Sequence, residues 1–107
     1  MRTLDSYIEE HNIPYPDFIK IDTQGAELDI LDGATKCLEH TVMVLLEVSI
    51  HRYNKGAPLI ADVIQYMNNK NFEIVDIIEN HIINNYLAQI DILFAKKDSG
   101  YRLDNFY

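Results

Sequence analysis

Two carboxylates stand where short apolar runs stop: Asp22 closes the run Asp17 to Asp22, and Glu47 follows Val42 to Leu46. Each run reads as a strand, and in parallel α/β sheets ligands sit just beyond the carboxyl ends of the strands. A carboxylate there can accept hydrogen bonds from an amino group, hold a cation, or take a proton from a hydroxyl. Asp22 also has a plainer use, capping the helix that follows or holding the turn Thr23-Gln24-Gly25. His51 lies in the loop beyond Glu47. Asp22, Glu47 and His51 are therefore expected to converge over one sheet edge, where a carboxylate pair and an imidazole can deprotonate an acceptor hydroxyl. The same set can hold a divalent cation, but no second ligand motif accompanies it and no metal is expected.

The neighbouring polar residues have simpler readings. Glu27 falls in the first turn of a helix, where the dipole favours a negative charge. Gly25 supplies a conformation or a close approach that a side chain would block. Lys20 sits among apolar strand neighbours and is expected to snorkel to an edge or meet a carboxylate. Cys37 falls on an apolar helix face and reads as a small core residue. His11, His40 and His81 stand alone near the ends of predicted elements and are assigned no function.

The elements that must position these groups follow from periodicity and punctuation. Thr3 to His11 reads as a helix with Thr3 as cap and Leu4, Tyr7 and Ile8 on one face, ended by Pro14 and Pro16. A second helix spans about Ala26 to His40, and Gly33 inside it signals close packing against the sheet or a break. Val42 to Leu46 is apolar without alternation, as in a strand covered on both faces. Pro58 opens a third helix with the stripe Leu59, Ile60, Val63, Ile64 and Met67. Phe72 to Ile78 and Ile90 to Lys96 read as two more strands. The link Glu79 to Gln89 has no helical stripe and reads as a loop or hairpin. The order is α-β-α-β-α-β-β, with residues 1–97 forming one unit and 98–107 a polar tail.

Composition narrows the function further. A chain of 107 residues that is 48% hydrophobic is one domain or part of one, able to bury a core. Its 17 acidic and 9 basic residues give a net charge of −8. That charge repels phosphate backbones and anionic membranes, so nucleic acid and membrane are not expected partners. One cysteine excludes an internal disulfide and a cysteine-rich zinc site. No apolar run is long enough to span a bilayer and no signal peptide is visible, so a reducing cytoplasm is the expected location.

The run Lys20-Ile21-Asp22-Thr23-Gln24-Gly25-Ala26-Glu27 resembles the hallmark of the FkbM family of S-adenosylmethionine-dependent methyltransferases. Leu31-Asp32-Gly33-Ala34 and Leu46-Glu47-Val48-Ser49 support the resemblance, which covers about residues 3 to 96. It implies the C-terminal half of a Rossmann-like class I methyltransferase fold. The sheet would be mixed and four-stranded, in the order first, second, fourth, third, with three strands parallel and one antiparallel. It also implies methyl transfer, commonly to a hydroxyl oxygen of a sugar or other natural product. Asp22 and Gln24 would then contact cofactor, and Asp22, Glu47 and His51 would serve the chemistry.

The departure from that family is large. Such enzymes clamp the cofactor with a glycine-rich loop and an acidic residue on the ribose. The four glycines here, at 25, 33, 56 and 100, are too far apart to form that loop. The chain is thus expected to be inactive alone and to bind S-adenosylmethionine weakly or not at all. The first strand would expose an unpaired edge, through which a twofold dimer is expected. The competing reading is a non-catalytic α/β module that dimerises or completes a partner chain through that edge.

Overall fold

A computed structural model describes residues 3–21, 27–50 and 59–97. Helix α1 spans Leu4–His11, strand β1 Phe18–Ile21, α2 Glu27–Asp32, α3 Thr35–His40, β2 Met43–Ser49, α4 Ile60–Asn69, β3 Phe72–Ile83 and β4 Tyr86–Lys96. The strands form one sheet in the order β1-β2-β4-β3, as expected. β1 and β2 pair in parallel, and β4 runs antiparallel to both β2 and β3. Three strands therefore point one way and the inserted β4 the other.

β1, β2 and most of β4 alternate in burial, and the alternation sorts the sheet into two unlike faces. Ile19, Ile21, Val44, Leu46, Val48, Ile90, Ile92 and Phe94 are buried in one cluster with Ile8, Leu31, Cys37, Leu38, Val63 and Met67 from the helices. The intervening residues, among them Phe18, Lys20, Leu45, Glu47, Gln89, Asp91 and Leu93, are half-buried or exposed and lie outside that cluster. The expectation that β2 is covered on both faces is thus met on one face by the described helices. No described helix is long and apolar enough to cross a membrane.

Three details refine the sequence reading. The predicted helix Ala26 to His40 is two helices, broken at Gly33-Ala34, where a Cβ on Gly33 would lie 2.9 Å from Thr3 Cβ. The close approach is to the start of α1 rather than to the sheet. Tyr7, expected on the buried face of α1, is 42% exposed and stacks on His11. The link Glu79 to Gln89 is strand on both sides of a two-residue turn, Asn84-Asn85, whose residues both have positive φ (52° and 68°). Two left-handed residues make a type I′ turn, whose twist matches the paired strands. The tail, residues 98–107, lies outside the described residues.

Candidate functional site

Glu47 occupies the third position from the end of β2, and its strand alternation turns it away from the helices. Ile21, the last residue of β1, pairs with Leu46, so β1 stops beside Glu47 at the carboxyl edge. Asp22, Gln24 and His51, the other expected site residues, lie outside the described residues. Of the expected trio Asp22, Glu47 and His51 only Glu47 is placed, and β2 runs two residues past it to Ser49 instead of stopping there.

The sheet brings a different set to Glu47. Asp91 on β4 pairs directly with Glu47, and Glu79 on β3 pairs directly with Asp91. Three carboxyl groups thus form one cross-strand row on the open face, an arrangement in which like charges are unfavourable. His81, two residues beyond Glu79, lies diagonally across, with Nε2 3.2 Å from Asp91 Oδ1. One ligand atom from each of Glu47, His81 and Asp91 lies within 4.8 Å of the others, and all three residues are half-buried. A group of this kind can exchange a proton with a hydroxyl or bind a cation.

The register that assembles this group depends on irregularities in β3. Phe72 pairs with Lys96 and Ile74 with Phe94, but shifts between Ile74 and Asp76 and between Ile77 and Glu79 slide β3 by two residues against β4. Without those bulges Ile77, not Glu79, would stand opposite Asp91, and His81 would be displaced along the strand. Bulges re-aim side chains in this way and are common next to functional sites. Linear spacing carries no trace of this meeting, which is why His81 and Asp91 escaped the sequence reading. The alternation of Asp91 with Ile90 and Ile92 was the one available signal, marking it as a half-buried strand carboxylate.

An apolar cleft lies elsewhere, lined by Ile64, Phe72, Ile74 and Phe94 between α4 and the sheet. It sits level with the beginning of β2, away from Glu47, and none of the candidate residues lines it. Its position assigns it to packing at the edge of the sheet rather than to the chemistry of the carboxyl edge.

Residues 1–74 match the family model described as Methyltransferase FkbM domain. Over 44 residues, 41% of this chain, the sequence is 34% identical to the hexuronic acid methyltransferase AglP of Haloferax volcanii, of which the match covers 18%. A crystal structure of a protein in the NADB-Rossmann superfamily from Streptococcus agalactiae matches with a TM-score of 0.55 at 23% identity. That match takes in 90% of this chain and 37% of the other, and at this identity it is a likeness of fold. The chain thus spans well under half the length of either protein.

Proposed function

The chain belongs to the family of methyltransferase FkbM domains, and we propose that it supplies the acceptor side of an S-adenosylmethionine-dependent O-methyltransferase site. The observation that carries this reading is Glu47, half-buried beside the end of β1 on the carboxyl edge of a Rossmann-like sheet. Such an edge is where open α/β sheets hold their ligands. Asp22, Gln24 and His51 complete the proposed site by residue type and sequence position, Asp22 and Gln24 toward cofactor and Asp22, Glu47 and His51 toward the acceptor. The acceptor is a small molecule with a free hydroxyl, such as a sugar. The Glu47 carboxylate takes the proton of that hydroxyl when the acceptor must lose it.

The residues present do not fit a complete cradle for S-adenosylmethionine. Gly33, the one glycine among the described residues, is pressed against Thr3, and Gly25, Gly56 and Gly100 are far apart in sequence. No clustered glycines let a backbone approach the cofactor, so no step through the cofactor is assigned to this chain. On this reading the polypeptide is inactive by itself, and a cytoplasmic setting suits its single buried thiol.

Reconstitution tests the proposal. The chain mixed with a polypeptide carrying the glycine-loop half of an FkbM enzyme should methylate a sugar hydroxyl that neither methylates alone. Asp22→Asn and Glu47→Gln should each lower that rate by about a hundredfold. Methyl transfer by the pure chain would overturn the proposed inactivity. A second reading, a non-catalytic module that dimerises or completes a partner, is favoured by the outer edge of β1, which has no strand partner among the described residues. A chain that dimerises and never supports turnover on mixing would favour the module.

A further inference from the structure

We propose that Glu47, Asp91 and His81 form a site for one divalent cation of the zinc–manganese class on the open face of the sheet. The ligands come from three hydrogen-bonded strands, β2, β4 and β3, so their Cα positions are fixed by the ladder rather than by loops. Their ligand atoms already lie within 4.8 Å of one another. Two ligands on one zinc, each at about 2.0–2.2 Å, lie no more than about 4.4 Å apart, so binding requires the side chains to rotate inward.

Two features separate this group from an ordinary acidic patch. It contains an imidazole within 3.2 Å of a carboxylate, and that carboxylate, Asp91, is only 18% exposed while flanked across both ladders by Glu47 and Glu79. Among the described residues no lysine or arginine pairs with any of the three carboxylates. A cation removes the like-charge opposition that the strand register builds in. One nitrogen and two oxygen donors suit a borderline metal such as zinc or manganese better than calcium, which takes six to eight oxygens. Three protein ligands leave coordination positions for water or a substrate oxygen, the arrangement of an open rather than a closed site. Binding replaces the Nε2 hydrogen bond to Asp91 by an Nε2–metal bond, and any proton on that nitrogen is released to solvent.

This inference does not depend on the methyltransferase reading, because every ligand lies in the described sheet. It is tested by calorimetric titration of Zn²⁺ and Mn²⁺ into the tag-free chain, with metal content after dialysis and the visible spectrum of the Co²⁺ form. The wild type should take up one ion per chain and give a Co²⁺ spectrum of low coordination number. Outer-sphere partners alone are typically worth ten- to hundredfold in affinity, so His81→Ala and the isosteric Asp91→Asn should each weaken binding by at least about tenfold. His40→Ala should leave it unchanged, since His40 is stacked on Tyr15 instead. Circular dichroism verifies that each variant remains folded. A wild type that binds no ion at millimolar concentration, or variants of His81 and Asp91 that bind as it does, would overturn the site.

Discussion

At the scale of single residues, Asp5 caps a helix to which it does not belong. Its carboxylate accepts hydrogen bonds from the Lys36 and Cys37 amides at 2.8 and 3.0 Å, at the start of α3, where the N-cap residue is Ala34 with no side-chain acceptor. Burial raises the Asp5 pKa, but hydrogen bonds from Lys36 and Cys37 outweigh it and hold the group below its usual 3.8. A depressed carboxyl group contributes stability that is present above the unfolded value and lost as pH falls through the folded one. Asp5→Ala should therefore cost about 1 kcal/mol at neutral pH by urea unfolding. The gap between the two proteins should close as pH drops below 3.8. Cys37 is pushed up to about 12, first by burial and then by Asp5, so its thiol should react with disulfide reagents only on unfolding. Gly33→Ala should cost about 1–3 kcal/mol, because its Cβ would meet Thr3 Cβ at 2.9 Å and Cγ2 at 3.0 Å. The sequence marked Glu47 and Gly33 as special through strand end and helix interior. It left Asp91 and His81 unmarked because only the sheet register joins them.

Elements explain most of what periodicity could and could not reveal. α1, α4 and the cores of β1 and β2 were legible because each carries a helical stripe or a mostly apolar run, broken only by Lys20 in β1 and by the exposed Tyr7 in α1. The alternative of packing against the sheet or a break at Gly33 resolves as the break, since the glycine separates α2 from α3 and its close approach is to Thr3, not to the sheet. The β3–β4 hairpin was half-legible: Asn84-Asn85 lacks the glycine that usually signals a type I′ turn, and the flanking strands expose Ile82 (67%) and Tyr86 (71%) instead of burying a face. Asn85→Ala should destabilise the chain by about 1 kcal/mol, because alanine has no side-chain bond to offset a left-handed φ, which is 68° at this position. Thermal unfolding measures it, and an unchanged melting temperature would mean that the turn does not hold the ladder. The bulges in β3 were not legible at all, since no glycine or proline marks them.

At the scale of the whole molecule, the sheet order was legible only through the resemblance of Lys20 to Glu27 to a family motif, because composition and periodicity do not order strands. The finished sheet leaves three surfaces without a strand or helix over them among the described residues: the face that carries Leu45, Glu47, Asp91 and Leu93, the outer edge of β3, and the outer edge of β1. The β1 edge is short, four residues, with Phe18 half-exposed, and pairing with a second copy would satisfy its N–H and C=O groups. The most direct test of the central claim is calorimetric titration of S-adenosylmethionine and S-adenosylhomocysteine into the pure chain, with its mass in solution recorded by light scattering. An acceptor-side half predicts no saturable binding and a dimer. Micromolar binding of either compound would contradict the account and place a cofactor site within these 107 residues.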